Sequence, residues 1–275
     1  MTGKKFQPQP DQLLPKLALY SQSYQQEILL KRVTTLLERP IVSRQGLREA
    51  LTNPISSARV FFGYYAFARA GGERAGYSEV CVRLLKGRQS YPDASSFLAA
   101  FKRDCKVRKI GANRKLTEGL VSQGYERLFV SSGALGWLSQ LGLRIANAHE
   151  VWPIYLDLVS IPGVGPKIAA FLCRDLVWIF DCEKMLPNRE QFLIQPIDTW
   201  IRQIAQLLWP ELGKVEDSAE LNILFAMRIC WALEKVKVSG VEFNQGAWYF
   251  GSQIVKEGKN LIKKLESLQA PRSVG

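Results

Sequence analysis

The stretch Ile161-Pro162-Gly163-Val164-Gly165-Pro166-Lys167 decides the fold of this chain. An apolar segment precedes it and another follows, and both predict helices. The two glycines permit backbone conformations that a Cβ would block. Pro166 suits the first position of a helix, where no N–H is needed, and Val164 is predicted to point inward and hold the two helices together. The stretch therefore predicts two helices joined by a tight turn, whose outward N–H groups are available to a phosphate.

The rest of the chain predicts an all-α fold of many short helices. The 275 residues are 47% hydrophobic and 23% charged, which excludes wholesale disorder. Helical periodicity recurs along the chain, without a sustained strand-like alternation or an internal repeat. The expected division is a flexible tail at 1–22, a central helical subdomain at 56–182 with the joined helices at 151–178, and a second helical subdomain built from 23–55 and 183–275 that carries Asp198.

Charge and cysteine usage narrow the function classes. Lys and Arg number 37 against 25 Asp and Glu, a formal net charge of +12. This excess favours a polyanionic partner, nucleic acid first and an acidic membrane surface second. His149 is the only histidine, so a site with two histidine ligands is excluded. The five cysteines form no CxxC pair, and an odd, scattered set suits a reducing compartment.

Two motifs together suggest a family. The turn motif ending at Lys167, followed by Ile197-Asp198-Thr199-Trp200-Ile201-Arg202, resembles the helix-hairpin-helix DNA glycosylase superfamily, which includes endonuclease III-like and 8-oxoguanine glycosylases. The resemblance is firm over 150–206. It is weaker over 101–121, where Lys109-Ile110-Gly111-Ala112-Asn113-Arg114-Lys115 is similar to the family's segment ahead of the hairpin. It implies two helical subdomains with a DNA-binding groove between them.

The resemblance also implies site residues. The lyase-active members have a lysine at the position of Lys167, and the essential aspartate matches Asp198. The separation of these two residues is longer than in the endonuclease III type and is similar to that of the archaeal 8-oxoguanine glycosylase branch. The last cysteine is Cys230, so the C-terminal iron–sulfur loop of the endonuclease III type is absent. These features point to the bifunctional branch without an iron–sulfur cluster, acting with no metal or other cofactor.

The remaining candidates are assigned to DNA and to the damaged base. The DNA-binding candidates are Gly163, Val164, Gly165, Lys109, Arg114 and Lys115, and the base-pocket candidates are Trp200, Gln245 and Trp248. Simpler roles compete with each assignment. Lys167 can be a surface lysine that touches a phosphate, Asp198 can be a helix N-cap, and the tryptophans can be core residues. Trp231 is expected in the core.

The expected activity is excision of a damaged base, with 8-oxoguanine favoured, followed by strand nicking. The expected partner is double-stranded DNA with a damaged base or an abasic site, and we expect a monomer with no membrane association. We expect the protein to be cytoplasmic and nucleoid-associated in a prokaryote and nuclear in a eukaryote. Two alternatives stay open: a non-catalytic DNA-binding repair accessory, which Asp198 argues against, and a monofunctional glycosylase, which Lys167 argues against.

Overall fold

The structure is a computed structural model, and it describes residues 8–68, 73–86, 91–110, 114–130, 133–212 and 219–269. Of the residues within these ranges, the side chains of 73–75, 114–116 and 219 lie outside the description. The prediction of an all-α fold is confirmed, since the described residues form helices and turns and contain no strand.

The α-helices are, in chain order, α1 (Pro10–Ala18), α2 (Ser21–Ser23), α3 (Val33–Leu37), α4 (Arg44–Ala50), α5 (Pro54–Val60), α6 (Glu73–Leu84), α7 (Ala94–Val107), α8 (Arg114–Tyr125), α9 (Trp137–Ala148), α10 (Trp152–Val159), α11 (Pro166–Ile179), α12 (Thr199–Leu208), α13 (Ala219–Val236), α14 (Gly240–Tyr249) and α15 (Leu261–Gln269). Segments of π-helix occupy Tyr24–Arg32, Phe61–Tyr65, Glu126–Val130 and Phe250–Val255. Short 3₁₀ segments occupy Glu183–Met185, Asn188–Ile194 and Gly258–Asn260.

The chain divides into two compact units. The terminal unit comprises Met1–Glu27 and Asn188–Gly275, and the central unit comprises Ile28–Pro187. The assignment of 28–55 to the subdomain built from both termini is therefore wrong. Leu29, Val33 and Leu47 line the same apolar interior as Leu176 and Ile179 of α11, and this shared burial fixes the segment in the central unit.

The expected flexible tail at 1–22 is also wrong where the structure describes it. Residues 10–18 form α1, which packs against α13 and α14. Leu13, Leu14 and Leu17 are fully buried in the core of the terminal unit. Pro10 occupies the first turn of the helix, where its missing N–H costs nothing. Burial of one leucine face therefore orders a segment that its prolines alone would mark as irregular.

Helix α12 anchors the terminal unit around Asp198. Its buried face consists of Ile201, Ile204, Ala205 and Leu208, which join the core shared with α13 and α14. The spacing of these residues at i, i+3, i+4 and i+7 is that of one helix face. Asp198 lies immediately before this helix, so its position is set by the packing of the whole element.

Candidate functional site

The turn between α10 and α11 (160–165) depends on one glycine. Gly163 has a φ of 88°, a region that strains any residue with a Cβ. Gly165 is extended, with φ −86° and ψ 175°, so the expectation that both glycines are conformationally required is wrong for Gly165. Val164 is buried, as predicted, and its N–H donates to the Ile161 carbonyl at 2.9 Å. The Val164 N–H is thus already used inside the turn.

Lys167 is held in a defined position in the central unit. It is the second residue of α11, is half-buried, and donates from Nζ to the carbonyl oxygen of Ala68 at 3.1 Å. The start of a helix also carries partial positive charge. An amine that donates one N–H to a carbonyl keeps, when neutral, a lone pair for attack on carbon. The side chain is therefore anchored rather than extended freely into solvent.

A buried polar group lies further along α11. Arg174 and Asp175 are 1% and 0% exposed, and Arg174 donates from Nη2 to Asp175 Oδ1 at 2.8 Å. Tyr65 donates its hydroxyl to Asp175 Oδ2 at 3.2 Å. Burial, with the Asp175 carboxylate beside it, raises the pKa of Tyr65 well above its ordinary value, so the phenol stays protonated. This group was not predicted from the sequence, although an Arg-Asp pair inside an apolar helix was its signal.

The same face of α11 links this polar group to Lys167. Phe171 and Arg174 follow Lys167 at i+4 and i+7, positions that share one helix face. The Arg174 guanidinium carbon lies 4.9 Å from the centroid of the Phe171 ring. The Phe171 ring also packs against Tyr64 and Tyr65, with centroid distances of 5.3 and 5.1 Å. These contacts hold Phe171 and Arg174 in fixed positions on the helix face that carries Lys167.

Asp198 caps α12 in the terminal unit. Its Oδ1 accepts a hydrogen bond from the N–H of Ile201 at 2.9 Å, and the residue is half-buried. The capping role predicted as an alternative is therefore confirmed. A cap fixes the carboxylate in one orientation, and this is compatible with a further role for its charge.

The base-pocket candidates differ in their surroundings. Gln245 is fully buried on α14, and its Oε1 accepts from Gln25 Nε2 at 3.0 Å. Trp248 follows on the same helix face, half-buried, with its ring edge-on to Tyr24 at 5.6 Å. Trp200 packs so closely on Gly251 that a Cβ there would overlap its ring. Gln245 and Trp248 thus share a face, whereas Trp200 serves packing.

Two buried amides lie near Asp198, and the sequence did not predict that they pair. Gln195 and Asn244 are 2% and 0% exposed, and Asn244 Nδ2 donates to Gln195 Oε1 at 3.1 Å. Among the described residues, Gln195 Nε2 is a buried donor that has no hydrogen-bond partner. Such an orphan donor costs about 1–3 kcal/mol, and a ligand oxygen would satisfy it. The signal for Gln195 in the sequence was its position three residues before Asp198.

The basic segment ahead of the turn is less positive than its sequence indicates. Lys102 pairs with Glu118 at 3.0 Å and Arg108 with Glu79 at 3.3 Å. Lys109 is exposed and has a left-handed φ of 56°. The remaining exposed cations of α7 are Arg103 and Lys106. The candidates Arg114 and Lys115 begin α8, and their side chains lie outside the described residues.

The described residues contain no group of three or more His, Cys, Asp or Glu side chains able to hold a metal ion. None of the described helices is long and apolar enough to cross a membrane. Comparisons with protein-family models, with curated proteins and with solved structures found no match to this chain.

Proposed function

We propose that this protein is a bifunctional DNA glycosylase that removes a damaged base from duplex DNA and then cleaves the strand. The observation that carries the proposal is the amine of Lys167. It is half-buried, hydrogen-bonded to a backbone carbonyl, and located in the first turn of the helix that follows the turn at Gly163. A surface lysine that only touches a phosphate needs no such anchoring.

The reaction uses Lys167 as the nucleophile. The target nucleotide first leaves the base stack, at a cost of a few kcal/mol. The neutral amine attacks C1′ of the deoxyribose, and the base departs with the electron pair of the glycosidic bond. The adduct opens to a Schiff base, which acidifies the proton on C2′. Loss of that proton and cleavage of the C3′–O bond release the 3′ phosphate and nick the strand.

Asp198 supplies charge to the first step. Positive charge develops on the sugar as the base departs, and an ionised carboxylate stabilises it. The hydrogen bond from the Ile201 N–H holds the carboxylate in place before the substrate arrives. Preorganisation of this kind avoids a reorganisation cost during the reaction. Neither step needs a metal ion or a redox cofactor.

The buried amides support recognition of a base that carries a carbonyl oxygen. Gln195 Nε2 offers an unused donor, and Asn244 and Gln245 lie on α14, the helix that also carries Trp248. A donor that is unsatisfied in the free protein favours a ligand with a carbonyl oxygen, and an indole offers a stacking surface for a base. Several bases carry such an oxygen, so this donor does not select the lesion, and the preference for 8-oxoguanine follows from the long connection between Lys167 and Asp198 and the missing iron–sulfur loop.

The charge distribution supports binding to duplex DNA. The exposed cations Arg103, Lys106 and Lys109 lie in the central unit, as do the turn and Lys167. Contacts with phosphates provide affinity that falls steeply as salt rises. The DNA-binding groove expected from the resemblance, and the roles of Arg114 and Lys115, stay predictions.

Borohydride trapping tests the proposal. Wild type, Lys167→Gln and the control Lys184→Gln, an exposed lysine of the 3₁₀ segment Glu183–Met185, are incubated with duplexes that carry 8-oxoguanine, thymine glycol, an abasic site or no lesion. We expect wild type and Lys184→Gln to form a reduced covalent adduct with a duplex that carries a lesion, and we expect Lys167→Gln to form none.

Each other result identifies a different activity. Base release without an adduct or a nick would indicate a monofunctional glycosylase. Salt-sensitive duplex binding without base release would indicate an accessory DNA-binding protein. An undiminished adduct with Lys167→Gln would refute the assignment of the nucleophile.

A further inference from the structure

The backbone is strained at Lys256, where the π-helical segment Phe250–Val255 ends. Lys256 has φ 63° and ψ −38°, and the N–H of Glu257 donates to the Val255 carbonyl across it at 2.8 Å. This is a γ-turn with a positive φ at its centre, a rare and strained conformation that glycine adopts more readily than lysine. The Lys256 side chain is exposed, so it gains no burial that would offset the strain. Strain of this kind is typical of functional positions.

Lys256 belongs to a short basic stretch in the terminal unit. The charged residues of 256–264 are four lysines and one glutamate, whereas acidic and basic residues nearly balance in the rest of the unit. Lys259 pairs with Glu257 at 2.9 Å, but both side chains are exposed, where such a pair is weak. The four lysines are all exposed, and together we call them the lysine surface: Lys256, Lys259, Lys263 and Lys264. The positive charge of the terminal unit is therefore concentrated at this surface.

The segment that carries Lys256 packs against α12, the helix that Asp198 caps. At one end of the segment, Gly251 lies so close to the Trp200 ring that a Cβ would overlap it. At the other end, a Cβ at Gly258 would lie 3.3 Å from Oε1 of Gln203. Trp200 and Gln203 lie in the first half of α12. These two contacts, on either side of Lys256, hold the start of the lysine surface beside this helix.

We infer that the lysine surface binds the phosphate backbone of duplex DNA, as a second contact besides the turn before α11. The inference rests on the proposed function, which makes duplex DNA the polyanion that this protein meets. The ammonium of a lysine is a point charge on a flexible stem, and it suits a phosphate. Contacts with phosphates carry no sequence information, which suits an enzyme whose damaged base can occur in any sequence.

This contact differs from the DNA contacts described above. The turn, Lys167 and the exposed cations of α7 lie in the central unit, whereas the lysine surface lies in the terminal unit with Asp198. Phosphates bound at the lysine surface keep the DNA beside α12, the helix whose N-cap is the carboxylate assigned to the sugar. The inference thus gives the terminal unit its own contact with DNA, and it accounts for a lysine at a position that suits glycine.

Two matched variants of the full chain, Lys256→Gly and Lys237→Gly, test the inference. Lys237 is another exposed lysine of the terminal unit with a positive φ, 54°, and it lies outside the lysine surface. Each variant removes one positive charge and places glycine at a positive φ. Each should therefore unfold at a higher urea concentration than wild type, because glycine has no Cβ to strain the backbone. Circular dichroism follows this unfolding and verifies that both variants are folded.

Fluorescence anisotropy measures the binding of each protein to an undamaged duplex, from about 50 to about 200 mM salt. Lys256→Gly should bind about three- to tenfold more weakly than wild type at the low end of this range. The slope of log affinity against log salt should be lower by about 1 for Lys256→Gly, since one phosphate contact is lost. Lys237→Gly should bind with the affinity and the slope of wild type.

The other outcomes separate this inference from the proposed function. Wild-type affinity and slope in Lys256→Gly would overturn the inference and leave the proposed glycosylase standing, whereas a wild type that binds no duplex would overturn both. An equal loss in Lys256→Gly and Lys237→Gly would show an effect of net charge and would also overturn the inference.

An anionic membrane is the rival partner, because the exposed residues Ile254 and Ile262 adjoin the lysines in sequence. Vesicles of phosphatidylserine and phosphatidylcholine therefore form a second arm of the experiment. Loss of vesicle binding by Lys256→Gly at unchanged duplex affinity would overturn the inference in favour of a membrane.

Discussion

Replacement of Gly163 by alanine tests whether the turn requires a residue without a Cβ at this position. The φ of 88° at Gly163 lies in the left-handed region, where a Cβ costs about 1–2 kcal/mol. Alanine also restricts the unfolded chain, which stabilises the fold by about 0.4–1 kcal/mol. Gly165→Ala shares this second effect without the first, because Gly165 is extended. Gly165 is also the N-cap of α11, where alanine costs about 0.5 kcal/mol relative to glycine. The free energy of unfolding of Gly163→Ala should therefore be about 0.5–1.5 kcal/mol below that of Gly165→Ala.

Urea denaturation followed by circular dichroism measures both variants under identical conditions. The denaturant dependence should be the same for the two, because neither alters the surface exposed on unfolding. Duplex affinity at low salt should fall more for Gly163→Ala than for Gly165→Ala, since a shifted turn displaces the backbone N–H groups ahead of α11. Equal stability of the two variants would refute the cost of a Cβ at position 163.

The other predictions concern charge, a buried hydrogen bond and pH. Asp198→Asn keeps the helix cap, so its stability should resemble that of the matched cap variant Asp93→Asn. Base release in single-turnover assays should fall at least about tenfold for Asp198→Asn and stay unchanged for Asp93→Asn. Base release by Asp198→Asn at the wild-type rate would refute the electrostatic role. Tyr65→Phe removes the hydrogen bond to buried Asp175 and should lower the free energy of unfolding by about 1–3 kcal/mol in urea titrations, whereas no change would refute the bond. Burial raises the pKa of Cys182 from 9.0 to about 11, so its neutral thiol contributes stability below pH 9 that is lost as the pH rises towards 11. Cys182→Ala should therefore flatten the plot of unfolding free energy against pH between 9 and 11, and an unchanged plot would contradict the raised pKa.

Local signals predicted the helical fold and the capping role of Asp198. The all-α fold follows from a 3.6-residue period that each segment carries by itself, and the capping role of Asp198 needs only the next three residues. The prediction for 10–18 was wrong because its prolines indicate irregular structure, whereas the burial of Leu13, Leu14 and Leu17 against distant helices makes the segment helical. The prediction that Trp231 lies in the core was also wrong, because an apolar helix does not by itself show which of its apolar faces is covered.

Long-range pairing explains what the sequence could not show of the site. Asn244 and Gln195 meet although 49 residues separate them, and Tyr65 and Asp175 meet across 110 residues. No local pattern encodes such a meeting. The contact of Lys167 with the Ala68 carbonyl likewise spans 99 residues. The sequence predicted the chemical groups in the turn and at Asp198, and the structure adds the partners that hold them.

Peptide mapping of the reduced protein–DNA adduct by mass spectrometry identifies the nucleophile directly. The adduct formed on the most reactive duplex is reduced, digested with nuclease and protease, and searched for a lysine that carries the sugar remnant. We predict a single modified residue, Lys167. The modification on the N-terminal amine or on another lysine, with Lys167 recovered unmodified, would contradict the proposed mechanism.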